Sequence, residues 1–188
     1  MDWKTQVEAL GDRGQAEPAQ SFPSDPARQS VCGLYAWWAD EEARCLIGAA
    51  LGAEVPALIY VGKAGGGSSH QTLLGRIRGK HIRGSIRTST LRRTLTAILM
   101  ADPAFRDRHP DPSSRETKQA VSAWMAQHLH VVTLPVPDPS LVAEAEAAAI
   151  ARFDPPLNLD DTLLTPTRAR LKELRSHLSR GGAPTAQL

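Results

Sequence analysis

The chain has 188 residues, 41% hydrophobic and 22% charged, with a formal net charge of +2. This composition excludes a wholly disordered chain, and no apolar run approaches the ~20 residues that a transmembrane helix needs. Its two cysteines, Cys32 and Cys45, lack the spacing of a zinc site or a disulfide framework, so we expect a reduced, cytoplasmic protein. The acidic and polar N-terminal sequence MDWKTQVEAL predicts no signal peptide.

The hydrophobic pattern predicts a short N-terminal helix over residues 1–10, a linker over 11–30, and then elements in the order β, β, α, α, α, β, α, α. A small sheet cannot bury both of its faces by itself, so we expect helices to pack against it in an α+β fold. The predicted strands cover residues 31–38, 57–62 and 129–136, the predicted helices cover 72–82, 89–102, 115–128, 141–153 and 165–180, and residues 102–114 are expected to form a loop.

The basic residues are unevenly distributed along the chain. Residues 63–101 contain no Asp or Glu but hold eight of the 22 Lys and Arg residues. A block of one charge sign in a nearly neutral protein indicates a local anionic partner, of which phosphate is the most common. The alternative is a basic helix face that is simply exposed to solvent.

The chain has two tyrosines, which lie in the first two predicted strands near a glycine. Because side chains alternate along a strand, antiparallel pairing in a matching register would point Tyr35 and Tyr60 to the same face. A buried phenol needs a hydrogen-bond partner, so two of them on one face indicate a polar pocket. Packing of two aromatic residues in a core is equally consistent with the pattern.

The helix predicted over residues 141–153 carries two glutamates in different environments. At about 100° per residue, Glu146 falls within an apolar stripe that includes Val142 and Ile150, whereas Glu144 points away from it. A buried carboxylate is costly without a cation, a metal ion or an arginine beside it, which makes Glu146 a candidate functional residue. The alternative is a salt bridge at the rim of the core.

The helix predicted over residues 72–82 places Leu73, Ile77 and His81 on one face, with Arg76 at its margin. His81 is either a core histidine or a site residue at this point. Phenols, an arginine and a carboxylate together match the needs of phosphodiester cleavage, which are a base, a metal ligand and a cation for the developing charge.

In these residues and their order, the chain resembles the GIY-YIG nuclease superfamily. The first family signature corresponds to the sequence GLY at residues 33–35, and the second corresponds to YVG at residues 60–62. Lys63 follows the second signature, as in the repair-nuclease branch of the family. The family arginine corresponds to Arg76, within the sequence LLGRI.

The likeness continues into the second half of the chain. The family's metal-binding glutamate corresponds to Glu146, and Asn158 follows it twelve residues later, at the interval that the family has. The family histidine corresponds to His81. It lies five residues after Arg76, one more than the family spacing, which leaves open a catalytic role or a contact with phosphate alone.

The resemblance covers residues 31–160. We therefore expect residues 1–30 to form an N-terminal helix and linker, and residues 161–188 to form a C-terminal basic helix and tail. That helix either covers the core or contacts DNA or a second subunit. The 24 residues between the two tyrosines exceed the usual family spacing, so we expect residues 39–56 to form an insertion.

The resemblance implies a small three-stranded antiparallel sheet flanked by helices, and hydrolysis of DNA phosphodiester bonds with one Mg²⁺ or Mn²⁺ ion. Glu146 would hold the metal ion, and Arg76 would bind the scissile phosphate. Tyr35 or Tyr60 would position or deprotonate the attacking water, and His81 is a further catalytic candidate. The residues expected to bind the substrate or to lie beside it are Lys63, Arg78, Lys80, Arg83, Arg92, Arg93 and Asn158.

A second function is compatible with the same fold, namely a module that binds nucleic acid without cleaving it. The complete set of two tyrosines, Arg76 and Glu146 favours the nuclease, because a decayed site would be expected to lose Glu or Arg. In either case the expected partner is DNA, duplex or single-stranded, and not a membrane.

Overall fold

The computed structural model describes residues 3–160 and 162–179. Its strands are β1 (Glu17–Pro18), β2 (Gly33–Ala39), β3 (Leu58–Ala64) and β4 (Leu129–Pro135). They form one antiparallel sheet in the order β1-β4-β2-β3, so that β3 lies at an edge. Helices cover both faces, which confirms the expected α+β class with an antiparallel sheet.

The prediction of three strands was wrong, because the sheet has four. The additional strand, β1, lies within the segment predicted to be a linker. Glu17 pairs with Val131 of β4, and the Ala19 N–H donates to the Leu129 carbonyl at 2.9 Å. A strand of two residues is too short to show an alternating pattern, and its proline is compatible only with the edge position it occupies.

The helices of the described residues form two layers around the sheet. A π-helix, Gly75–Ile82, precedes α3, and short 3₁₀ turns cover Val7–Gly11, Arg13–Gln15 and Pro139–Leu141. The α-helices are α1 (Trp3–Gln6), α2 (Glu41–Leu51), α3 (Thr90–Leu99), α4 (Pro103–Arg108), α5 (Arg115–His128), α6 (Val142–Phe153) and α7 (Pro166–Ser179). None of the helices described is long and apolar enough to cross a membrane.

Each face of the sheet lies over its own hydrophobic core. Tyr35 and Trp37 point into the larger core, which α2, α3, α5 and α7 cover. Leu34 and Ala36 point into a smaller core beneath α1 and α6. This alternation along β2 follows from the strand geometry. The neighbouring strand, β3, likewise has different helices on its two faces.

The expected insertion, residues 39–56, forms a helix that belongs to the larger core. The Asp40 side chain accepts a hydrogen bond from the Ala43 N–H and begins α2, and Gly52 ends it with a φ of 69°. Ile47 and Leu51 are buried against the core. A side-chain cap at the start and a left-handed glycine at the end are the usual boundaries of a helix.

The structure corrects the expectation for residues 102–114 and decides between the alternatives for the C-terminal helix. The short helix α4 lies within the expected loop, where Pro103 at its first turn and the Asp102 cap favour a helix start. In α7, Leu171, Leu174 and Leu178 are buried in the larger core. The basic C-terminal helix therefore covers the core.

Candidate active site

The two tyrosines lie on the same face of the sheet. Tyr35 of β2 is opposite Gly62 of β3, and Trp37 is opposite Tyr60, so all four side-chain positions face the larger core. The ring centroids of the two tyrosines are 6.5 Å apart. A Cβ atom at Gly62 would lie 2.6 Å from the Tyr35 hydroxyl oxygen, which explains why this position of the second signature requires glycine.

The helix that carries Arg76 and His81 is a π-helix. Its backbone bonds join residues five apart, as in the bond from the Arg83 N–H to the Arg78 carbonyl. A spacing of five residues therefore corresponds to about one turn. The wider turn puts Arg76 and His81 on the same face, where four residues would do so in an ordinary α-helix.

Arg76 and His81 meet at the hydroxyl group of Tyr35. The Arg76 Nε donates to this oxygen at 3.3 Å, and the His81 Nε2 lies 2.7 Å from it. On the other side of the imidazole ring, Nδ1 lies 2.6 Å from the Ser89 Oγ. Tyr35 and His81 have no solvent-exposed surface, so this network is buried behind Arg76.

Burial determines the protonation states in this network. It holds the pKa of His81 well below its usual value, and the positive charges of Arg76 and Arg92 add to the effect. It also raises the pKa of Tyr35 above its usual range, and it raises the pKa of Tyr60 to about 12. Near neutral pH the network therefore holds a neutral imidazole, neutral phenols and a charged guanidinium.

The opposite face of β3 contributes a carboxylate and an amine. Lys63 is opposite Leu34 in the register, so its side chain points away from the tyrosines and toward α6. Its Nζ lies 2.7 Å from the Glu146 Oε2. Glu146 is only 21% exposed, whereas Glu144 of the same helix is exposed, as the helical pattern indicated.

Asn158 closes the free edge of β3. Its side-chain oxygen accepts from the Val61 N–H, and its side-chain nitrogen donates to the Val61 carbonyl, each at 2.9 Å. The Leu157 N–H adds a bond to the Ile59 carbonyl at 3.0 Å. Asn158 thus pairs with the edge strand as a neighbouring strand would, and it holds the segment after α6 beside the site.

Side chains from both faces of the sheet meet at this edge and line a groove of about 300 Å³. We call it the β3 groove. Tyr60 and Arg76 reach it from the side of the larger core, and Lys63 and Glu146 reach it from the side of α6. The polar residues among its lining are Tyr60, Lys63, Arg76, Thr90, Glu146, Asn158 and Asp160.

The remaining basic candidates do not line the β3 groove. Arg78, Lys80 and Arg83 are exposed on the π-helix and at its end. Arg92 was expected to contact DNA, but this was wrong, because it is 1% exposed. Its guanidinium donates to the carbonyls of His81, Ile82 and Lys118 and to the Ser122 hydroxyl, and so holds the end of the π-helix.

Ser89 and Asp160 are among the residues of the site that were not singled out from the sequence. Ser89 begins α3 by accepting a hydrogen bond from the Arg92 N–H at 3.0 Å. Serine is a frequent N-cap, so the sequence could indicate the start of the helix, but no local rule predicts the contact with His81. Asp160 lines the β3 groove as part of the acidic sequence NLDD.

The carboxylates that line the groove are those of Glu146 and Asp160. The described residues contain no group of three or more His, Cys, Asp and Glu side chains that could hold a metal ion by themselves. Mg²⁺ differs from zinc in this respect, because it retains several waters and binds through one or two carboxylates together with substrate phosphate. Glu146, in a groove lined with polar groups, fits such an ion.

The comparisons with known proteins give one result. A family model described as the GIY-YIG catalytic domain matches residues 33–177, from the first residue of β2 into α7. The match therefore includes both tyrosines, the π-helix, Glu146 and Asn158. No curated protein and no solved structure matched the chain.

Proposed function

The chain belongs to the GIY-YIG catalytic domain family, and on that premise we propose that it is a divalent-metal-dependent endonuclease that hydrolyses phosphodiester bonds of DNA. The observation that carries the proposal is the β3 groove, where a phenol, a guanidinium, an amine and a carboxylate face one space. Phosphodiester hydrolysis needs these groups to neutralise the phosphate, to orient water and to hold a metal ion.

Arg76 is proposed to bind the scissile phosphate. Its Nε donates to the Tyr35 hydroxyl at 3.3 Å and one terminal nitrogen donates to the Gln71 Oε1 at 3.5 Å, so two contacts orient the guanidinium of a residue that lines the groove. Although burial opposes its charged form, nearby Tyr35, Tyr60 and Glu146 raise the pKa of Arg76, so it stays charged. A fixed planar donor is well suited to the charge that develops on phosphate oxygens.

Tyr60 is proposed to contact the attacking water. Of the two tyrosines, Tyr60 lines the β3 groove, whereas Tyr35 lies behind Arg76 with no exposed surface. Because burial raises the pKa of Tyr60 to about 12, Tyr60 is a neutral phenol near neutral pH. In that state it would position the water through a hydrogen bond. Tyr35 and His81 then serve to position Arg76 and do not touch the substrate.

Glu146 is proposed to hold Mg²⁺ or Mn²⁺. When bound, such an ion lowers the pKa of water and neutralises phosphate charge. Lys63 compensates the Glu146 carboxylate in the free protein, at 2.7 Å. Lys63 lines the same groove, so its ammonium group can form an ion pair with a substrate phosphate when the carboxylate binds the ion.

The exposed residues Arg78, Lys80 and Arg83 are proposed to contact the DNA backbone beside the groove. They follow Arg76 along the same helical segment, and the described part of this segment carries basic but no acidic side chains. Contacts of this kind supply affinity without reading sequence and weaken as the salt concentration rises. Asn158 supports the edge of the site through the backbone of β3.

A cleavage panel tests the proposal. The purified protein is incubated with supercoiled plasmid, linear duplex, branched DNA, single-stranded DNA and RNA, with Mg²⁺, with Mn²⁺ or with EDTA. We expect nicking or cutting of at least one DNA form with a divalent ion and none with EDTA. Tight DNA binding without cleavage under every condition would contradict the proposal and favour the non-catalytic module.

A further inference from the structure

The network behind Arg76 ends at Ser89, to which neither the family signatures nor the proposed function gives a role. We propose that Ser89 is a positioning residue that fixes the tautomer of His81 and, through Tyr35, the orientation of Arg76. The tautomer is a property of the folded chain itself. Only its effect on cleavage rests on the proposed function.

The first step concerns the hydroxyl group of Tyr35. Its oxygen accepts a hydrogen bond from the Arg76 Nε, so its own hydrogen must find a different partner. Tyr35 has no exposed surface, and among the described residues the second hydrogen-bond partner of the hydroxyl is the His81 Nε2 at 2.7 Å. The hydroxyl therefore donates to Nε2, which must carry its lone pair and no hydrogen.

The second step follows from the chemistry of imidazole. Burial keeps His81 neutral by lowering its pKa, so the ring has one hydrogen to place. With Nε2 unprotonated, this hydrogen is on Nδ1 and points at the Ser89 Oγ, 2.6 Å away. Ser89 thus accepts the hydrogen bond that selects the Nδ1-protonated tautomer.

The third step concerns the position of the Ser89 Oγ. Its Oγ also accepts the Arg92 N–H at 3.0 Å as the N-cap of α3, and the residue is 2% exposed. The start of a helix therefore holds the oxygen in place. The backbone donor uses one lone pair of the oxygen, and the second lone pair accepts the imidazole N–H that the Tyr35 hydroxyl leaves on Nδ1.

The opposite tautomer would disrupt the contact that orients Arg76. A hydrogen on the His81 Nε2 would point at the Tyr35 oxygen and compete with the Arg76 Nε. The buried hydroxyl hydrogen of Tyr35 would then lose its acceptor among the described residues. We expect the loss of one such buried bond to weaken transition-state binding by about 10-fold.

The first experiment needs no variant of Ser89. Nitrogen NMR of the folded chain, labelled with ¹⁵N in its histidine rings, distinguishes a protonated from an unprotonated ring nitrogen. A His81→Gln sample assigns the signals of His81. We expect a protonated Nδ1 and an unprotonated Nε2 near neutral pH, and a protonated Nε2 would overturn the proposal.

The second experiment compares two serine N-caps. Ser114 begins α5 as Ser89 begins α3, because its Oγ accepts the Thr117 N–H at 3.0 Å. We expect both Ser89→Ala and Ser114→Ala to lower the melting temperature, and Ser89→Ala to lower it more, because this substitution also leaves the buried His81 Nδ1–H without its acceptor. Only Ser89→Ala should give a mixture of His81 tautomers and a kcat reduced about 10-fold with a smaller change in KM.

The outcomes separate a positioning residue from a simple helix cap. Equal kcat values for the two variants, or an unchanged His81 tautomer in Ser89→Ala, would show that Ser89 only caps α3. If Ser89→Ala does not fold, the spectrum of the parent chain still decides the proposal. A parent chain with the expected tautomer but without cleavage would refute the proposed function and leave the role of Ser89 in the network intact.

Discussion

Arg76 and His81 hydrogen-bond to the same atom, the hydroxyl oxygen of Tyr35, although they are five residues apart in the chain. The π-helix makes this possible, because its wider turn brings residues at that spacing to one face. π-Helical segments are uncommon and occur frequently at functional sites. The π-helix therefore accommodates the one additional residue that separates Arg76 from His81 relative to the family spacing.

Substitution of each tyrosine by phenylalanine should have different consequences. Tyr35→Phe leaves the Arg76 Nε and the His81 ring without their shared partner in a buried site. We expect the free energy of unfolding to fall by about 1–3 kcal/mol and cleavage to fall with it. Tyr60→Phe, at the groove, should reduce kcat while changing stability by less than about 1 kcal/mol. Urea unfolding and cleavage assays measure both, and the reverse order of stability losses would contradict the assignment.

A methyl group added at Gly62 should displace Tyr35. The added Cβ would lie 2.6 Å from the Tyr35 oxygen and 2.8 Å from its Cζ, so the ring must move. We expect Gly62→Ala to cost about 1–3 kcal/mol of unfolding free energy and to reduce cleavage strongly. The matched control is Gly79→Ala in the π-helix, where no described atom lies within 4 Å of the added Cβ. Equal effects of the two substitutions would contradict the close approach.

Protonation of His81 should make stability depend on pH. Burial lowers the pKa of His81 in the folded chain, so the unfolded chain binds a proton below about pH 6.5 while the folded chain does not. The free energy of unfolding should therefore decrease as the pH falls below about 6.5, with a slope approaching ~1.4 kcal/mol per pH unit, and it should be unaffected by His81 above that.

The control for this pH dependence uses a second histidine. His81→Gln should remove the slope between about pH 6.5 and 5, whereas His70→Gln, at an exposed position, should retain it. Urea unfolding at several pH values measures the difference. A slope that persists in His81→Gln would assign the effect to another group.

Removal of Lys63 should strengthen metal binding while it weakens cleavage. Lys63 lies 2.7 Å from Glu146 in the free protein and competes with a cation for the carboxylate. The two side chains are 41% and 21% exposed, so their interaction is that of a solvent-accessible pair, about 1 kcal/mol. We expect Lys63→Met to bind Mn²⁺ roughly 5-fold more tightly, as measured by electron paramagnetic resonance. Weaker Mn²⁺ binding would mean that Lys63 supports the metal site and does not compete with the ion.

The sequence allowed prediction of the site residues that local rules govern. The alternation along strands placed Tyr35 and Tyr60 on one face, and the register confirms it. The helical period separated the half-buried Glu146 from the exposed Glu144. Both rules depend only on positions within one element, so they hold without knowledge of the tertiary fold.

The features that sequence reasoning missed depend on contacts between distant segments. The strand β1 forms only because β4 offers an edge to two residues that carry no pattern of their own. Arg92 was counted as part of a basic surface, but its guanidinium is buried among backbone carbonyls. The link from Ser89 to His81 joins two helices, and the charges and periods of either helix alone contain no signal for it.

The most direct test of the account compares two glutamates of α6. Glu146→Gln removes the proposed metal ligand at nearly constant volume, and Glu144→Gln makes the same change two residues away at an exposed position. Cleavage of the best DNA substrate is measured with Mg²⁺ for the parent chain and both variants. We predict that Glu144→Gln cleaves like the parent and that Glu146→Gln loses at least about 100-fold in kcat while it still binds DNA. Cleavage by Glu146→Gln at the rate of the parent would contradict the proposed active site.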